Sequence, residues 1–314
     1  MASPTGGSTE ATRIAQNGGT NVDGKSVATE TGTFLGEFPY VRIGSGPEKL
    51  VILPGVTLEN EPPNRFAAWI YRLGFGRFAR NYMVYVINRR RGMPPGYTTR
   101  DLARDYALVM EGVLGPSHLM GFSTGGSIAQ YVALDHPGAL QSLILVVSAC
   151  RLSEEGRKTC ERWQALARER RWRELRADMA SVTVSGETNK RLARAFMKVF
   201  GRLVHKVPSD PQDFLTTLEA DLGHDTSGRL GEISAPSLII GGSEDPFFSE
   251  DLLRETAEKI PDATLRLYEG VGHGVPKERK RRYEQDALAF LDDHRGGSSG
   301  QRDRTTPSRT KGMR

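Results

Sequence analysis

What most restricts the fold of this chain is a rhythm of short apolar runs separated by helical patterns. Residues 49–53, 83–87, 117–121, 142–147, 237–240 and 264–268 read as short β-type runs, of which 83–87 and 142–147 are apolar nearly in succession. Runs of that length and type are strands buried on both faces. Residues 65–80, 99–113, 124–136, 251–260 and 277–293 carry helical spacing instead. Strands alternating with helices predict an α/β fold class, here a mainly parallel, doubly wound sheet. Residues 34–43 predict an opening strand or hairpin. The 314 residues suffice for one large domain with an inserted subdomain.

The rhythm stops between residue 151 and about 224, where helical periods run on without a convincing strand. It resumes afterwards. This predicts a helical cap, 151–224, inserted into a core domain made of 33–150 and 225–294. Residues 1–32, rich in Gly, Ser, Thr and Asn, and residues 295–314, a basic tail, are expected to be disordered ends. The tail alone carries the chain's formal net charge of +5, so the folded part is near neutral and no nucleic-acid partner is expected. No apolar run is long enough to span a bilayer, and the first residues lack a secretory h-region. A cytoplasmic location is expected. Cys150 and Cys160 are read as two structural thiols, with a single bridge as the alternative.

Gly121-Phe122-Ser123-Thr124-Gly125-Gly126 fits G-x-S-x-G with a strand before it and a helix after it. Small residues on both sides of Ser123 let the strand reverse into the helix and lift its hydroxyl to the sheet's edge. The N–H of Thr124 then lies at a helix N-terminus, where negative charge is favoured. A serine nucleophile needs a base. Of six histidines, His273 alone lies in a Gly-flanked loop after a strand, Gly270-Val271-Gly272-His273-Gly274. The acid that would orient it is Asp245, after the strand and glycine pair Leu238-Ile239-Ile240-Gly241-Gly242. Glu244 is the alternative, and Pro246 favours Asp245 by restricting its backbone.

With these residues in place the chain resembles the α/β-hydrolase superfamily, in the branch that carries a cap after the sixth strand. Leu53-Pro54-Gly55, the Ser123 motif, the stretch from Ala235 to Pro246 and Gly272-His273 occur in that family's order. The resemblance covers roughly residues 33–294. It implies a serine hydrolase acting on a small or medium acyl ester, thioester, amide or C–C bond, with no metal or organic cofactor. It implies Val56 as a second oxyanion donor beside Thr124. Pro54 departs from the family, which usually has histidine there, so the loop must be held in another way. The alternative on the same scaffold is a small-molecule binding protein without catalysis.

The cap carries 15 Lys/Arg against 7 Asp/Glu between residues 151 and 206. Arg168, Arg170, Arg171, Arg173 and Arg176 read as one helical stretch interleaved with Trp163, Leu166, Trp172, Leu175 and Met179. Phe122, Trp163 and Phe247 are candidate substrate contacts, with Phe248, Phe196, Met197, Phe200 and Phe214 as further lining candidates. Arg89 and Arg90 either face the pocket mouth or lie in a solvated loop.

Overall fold

The strands are short, and they pair as the apolar runs predict. In this computed structural model the described residues are 14–20, 26–58, 60–204, 208 and 210–296. The strands are β1 (Ile14–Thr20), β2 (Ser26–Phe34), β3 (Phe38–Ile43), β4 (Glu48–Leu53), β5 (Tyr82–Ile87), β6 (Ser117–Phe122), β7 (Leu140–Val146), β8 (Ser237–Gly242) and β9 (Ala263–Tyr268). They form one nine-stranded sheet in the order β1-β2-β3-β5-β4-β6-β7-β8-β9. β1 pairs antiparallel with β2, β2 with β3 and β3 with β5, and every pairing from β5 to β9 is parallel.

The helices are α1 (Arg65–Phe75), α2 (Thr99–Val109), α3 (Thr124–Asp135), α4 (Glu154–Arg168), α5 (Trp172–Ser181), α6 (Glu187–Val204), α7 (Gln212–Leu222), α8 (Glu250–Lys259), α9 (Val275–Glu278) and α10 (Lys280–Asp293). Alternate strand residues enter two separate cores. Val51, Leu53, Leu119, Leu143, Leu145 and Ile239 face Leu102 of α2, Ile128 of α3 and Leu253 of α8. Leu50, Ile52, Met120, Ile144, Val146 and Ile240 face Ala68 of α1 and Ala287 and Leu291 of α10. Each fully buried Leu or Ile stabilises by about 1.5–3 kcal/mol before chain entropy is set against it.

Several boundaries differ from the sequence expectation, each for a local reason. The helix expected over 65–80 ends at Phe75 with Gly76 as its C-cap, and a separate 3₁₀ turn, Phe78–Arg80, completes the stretch. The helix expected over 99–113 changes at Met110 into a π-turn, and its N-cap is Thr98, in a capping box with Asp101. The arginine-rich stretch is two helices, since α4 ends at Arg168 and Arg170 adopts φ 55° before α5 starts. The expected disordered start also needs correcting: β1 and β2 lie largely within it, and β2 forms a hairpin with β3 through Leu35-Gly36-Glu37. Backbone pairing there compensates for a composition poor in apolar residues. The remaining parts of that expectation, residues 1–13 and 21–25, lie outside the described residues, as do residues 297–314 of the tail. With β1 added at the edge, the helical insert follows the seventh strand of this sheet. Its ends meet again at an antiparallel bridge between Arg151 and Asp225.

Candidate active site

Ser123 stands between β6 and α3 with φ 50° and ψ −123°. That region is costly for any residue with a Cβ and persists only where the surroundings over-determine it. Three glycines make it possible. A Cβ on Gly121 would lie 2.4 Å from the Gly125 carbonyl oxygen, one on Gly125 2.2 Å from the Leu53 carbonyl oxygen, and one on Gly126 2.4 Å from the Ser148 Cβ. The turn is thus wedged between its own helix, the end of β4 and the chain leaving β7. The Ser123 N–H donates to the Val146 carbonyl at 3.0 Å. The next residue, Val147, is buried with φ 47°, so two strained residues sit side by side at the C-terminal edge of the sheet.

His273 follows β9 and Asp245 follows β8, and the parallel register of these strands with β7 brings both to the same edge. His273 Nε2 lies 3.0 Å from Ser123 Oγ, and Nδ1 lies 2.8 Å from Asp245 Oδ2. Asp245 is buried, and its Oδ1 accepts the backbone N–H groups of Phe247 at 2.8 Å and Phe248 at 3.2 Å. These two bonds fix the carboxylate plane, so Oδ2 is the oxygen left for the imidazole. Glu244, the alternative acid, does not share in this arrangement. The rings of Phe247 and Phe248 lie 4.7 and 6.1 Å from the imidazole and limit its rotation.

After β4 the chain runs Pro54-Gly55-Val56-Thr57. Gly55 lies against the Ser123 turn, since a Cβ there would come within 3.4 Å of the Ser123 Cβ. Val56 is partly buried beside it, and the Thr57 hydroxyl donates to Asn60 rather than facing Ser123. Arg89, expected at a pocket mouth or in solvent, is 1% exposed, and its guanidinium donates to the carbonyls of Pro54 and Gly55. Arg90 instead pairs with Glu37, and Arg91 pairs with Glu61 on the surface. A run of three arginines gave no signal as to which one turns inward.

The insert reaches this site by polar contacts. Thr124, buried at the start of α3, donates its hydroxyl to Asp221 Oδ2 of α7 at 2.8 Å. The other oxygen of Asp221 is buried without a hydrogen-bond partner. His224, just beyond, is buried against the Ala149 carbonyl, and burial lowers its pKa. Ser185, between α5 and α6, donates its hydroxyl to Glu278 at 2.7 Å and accepts the Gly272 N–H at 3.2 Å, next to His273. Ser153 donates to the Pro246 carbonyl beside Asp245. Asp221, Ser185, Ser153 and Glu278 were not singled out from the sequence, and a serine or aspartate in a helical insert carries no motif that would do so.

The aromatic candidates divide. Trp163 is buried, donates its indole N–H to Asp178 at 2.8 Å and packs 5.4 Å from Phe247, so the two form a path to His273. Phe122 does not join them. Its ring packs on Phe75 and Tyr283 in the core beneath α1 and α10, on the other face of the sheet. Phe196 and Phe200 are exposed on α6, whereas Met197 and Phe214 are buried. A cavity of about 410 Å³ lies among α4, α5 and α6, lined by Arg162, Glu169, Arg171, Asp178, Arg194 and others, and it does not include Ser123. Cys150 and Cys160 are free, and burial raises both thiol pKa values.

With this geometry in view, the sequence model of the alpha/beta hydrolase family matches residues 50–285. The chain belongs to this family. It is a hydrolase by that membership and by its relatives. One relative is 30% identical over 59% of this chain and 67% of its own length, a 2-hydroxy-6-oxononadienedioate/2-hydroxy-6-oxononatrienedioate hydrolase of Burkholderia vietnamiensis. Another is 27% identical over 66% of this chain and 72% of its own length, a 2-hydroxy-6-oxo-6-phenylhexa-2,4-dienoate hydrolase of Comamonas testosteroni. The enol-lactonase of Burkholderia xenovorans LB400 superposes with a TM-score of 0.67 at 19% identity, covering 84% of this α/β hydrolase and 97% of the lactonase, which is a likeness of fold. Among the described residues no helix is long and apolar enough to cross a membrane.

Proposed function

We propose that this hydrolase cleaves a small or medium acyl substrate through an acyl-enzyme on Ser123. The observation that carries the reading is the continuous hydrogen-bonded line from Ser123 Oγ through both imidazole nitrogens of His273 to Asp245. With Nδ1–H donating to Asp245, Nε2 is free to accept the Ser123 proton as Oγ attacks the substrate carbonyl. The N–H groups of Val56 and Thr124 hold the developing oxyanion. His273 then returns the proton to the leaving group. Water, activated by the same imidazole, releases the acyl group and restores Ser123. An aspartate nucleophile is excluded by the serine at the elbow.

The bond broken is an ester, thioester, amide or activated C–C bond, all of which pass through a tetrahedral oxyanion. The names of the relatives describe oxo-dienoates that carry no ester, so a carbonyl flanked by a carbon leaving group belongs within the proposed range. The four helices α4–α7 serve as the cap, with Trp163 and Phe247 lining its inner side. The free, buried thiols fit the reducing cytoplasm as the place of action. A chain-length series of p-nitrophenyl esters, assayed on wild type and Ser123→Ala, tests the reading. Turnover that peaks at one acyl length and falls by about 10⁴-fold or more in the variant is expected. Hydrolysis that survives in Ser123→Ala would remove the acyl-enzyme.

A further inference from the structure

Arg89 lies two residues beyond β5, yet its side chain turns inward and is almost wholly buried. One guanidinium nitrogen donates to the Gly55 carbonyl at 3.2 Å, and the other to the carbonyls of Pro54 at 3.0 Å and Gly55 at 3.1 Å. Among the described residues it pairs with no carboxylate, and its Nε is buried without a partner. Burying a charge with only neutral acceptors costs several kcal/mol in general. A surface loop does not need such an anchor. The geometry points to a different use.

The peptide between Gly55 and Val56 is trans, so its C=O and N–H point in opposite directions. A guanidinium that holds the Gly55 oxygen therefore turns the Val56 N–H away from itself. Gly55 in turn lies against Ser123. From these observations we infer that Arg89 is a positioning residue for the oxyanion hole, orienting the Val56 N–H and polarising its peptide. This rests on the reading of Val56 as an oxyanion donor in the proposed function. It explains how a loop beginning with Pro54 is held: proline contributes a carbonyl, and a cation from the neighbouring strand's end takes up two successive carbonyls. The same positive charge adds to the field favouring an oxyanion, where fixed dipoles act with little screening. Arg suits this task and Lys does not, because only the planar fork spans two acceptors in fixed geometry.

The experiment compares wild type, Arg89→Lys and Arg89→Ala. It measures kcat and KM on the best p-nitrophenyl ester, and affinity for an alkylboronic acid of matched chain length, which forms a tetrahedral adduct with the serine. Losing an oxyanion donor costs about 10²–10³-fold in kcat, and a misplaced one is expected to cost about 10–100-fold. Both variants are expected to lose kcat with KM within about twofold. Boronic acid affinity should fall in parallel, while affinity for the carboxylate product holds. Free guanidinium should restore part of the Arg89→Ala rate. If Arg89→Ala does not fold, Arg89→Lys decides the matter alone. Folded Arg89→Lys with wild-type kcat and boronic acid affinity would overturn the inference, as would equal losses for boronic acid and product. Failure of the acyl-enzyme reading is separate, since it appears as hydrolysis retained in Ser123→Ala whatever Arg89 does.

Discussion

The Ser123 elbow and the helical insert meet at the same edge of the sheet but are held there by different physics. At the elbow, backbone presses on backbone: Gly121 and Gly125 leave no room for a single added carbon, and Gly126 lies tight against the Ser148 side chain. In the insert, side chains reach across: Asp221 to Thr124, Ser185 to Gly272 and Glu278, and Ser153 to Pro246. Asp213 of α7 likewise accepts the N–H groups of Gly92 and Met93. Steric contacts of the first kind are all-or-none, because a backbone atom cannot move aside. Polar contacts of the second kind are graded, each worth about 0.5–1.5 kcal/mol net. The insert therefore touches the helix after Ser123 and the loops of Asp245 and His273 without defining any of their backbones.

The sharpest way to break this contrast is at Gly125. The Gly125→Ala methyl would collide with the Leu53 carbonyl, so a loss of about 4 kcal/mol or more, or no folded protein, is expected in urea titration. Near-wild-type stability would mean the elbow is not sterically wedged. At Asp221 the expected effect is intermediate. Asp221→Ala leaves the buried Thr124 hydroxyl without its acceptor, costing about 1–3 kcal/mol. If the insert helps place the Thr124 N–H, kcat falls about tenfold, less than deletion of an oxyanion donor would cost. Asp221→Asn, which keeps an acceptor, should recover most of both.

Ser185→Ala refines the comparison at the base. It removes one hydroxyl that both donates and accepts, and a loss of about 1 kcal/mol in thermal unfolding is expected. The smallest effect is where the insert leaves the sheet. Hydrogen bonds from Arg151, then Lys259, pull the Glu255 carboxyl down to about 2. A carboxyl lowered on folding contributes stability that is complete above its unfolded pKa, about 4.3, and is lost as pH falls towards 2. Glu255→Gln should flatten the stability profile across that window by about 1 kcal/mol at most, since the pair is partly solvated. An unchanged profile would show that this ion pair holds nothing.

Much of the elbow was legible because glycine has a positional meaning that chemistry enforces. Two glycines around Ser123, and glycines before Asp245 and His273, mark places where chain must approach chain, and their position after strands, with Pro246 favouring Asp245 over Glu244, brings out the three side chains. The parallel strands were legible for the same kind of reason, as doubly buried runs admit few polar residues. The insert was legible only as a helical interruption. Arg89, Ser185 and Asp221 act through partners remote in sequence, and their residue types are common on surfaces. The turn at Arg170 carries no glycine or proline, so it read as continuous helix. Phe122 was misread because neighbours along a strand face opposite sides of a sheet: beside Ser123 in sequence, it belongs to the other core.

The account depends above all on Ser123 Oγ being a nucleophile that His273 activates. Incubating the folded protein with a fluorophosphonate, followed by intact mass and peptide mapping, tests this most directly. A single adduct on the peptide containing Ser123 is expected, absent in Ser123→Ala and formed at least about 10³-fold more slowly in His273→Ala. Folded wild type that stays unmodified, or that carries the adduct on another residue, would contradict it.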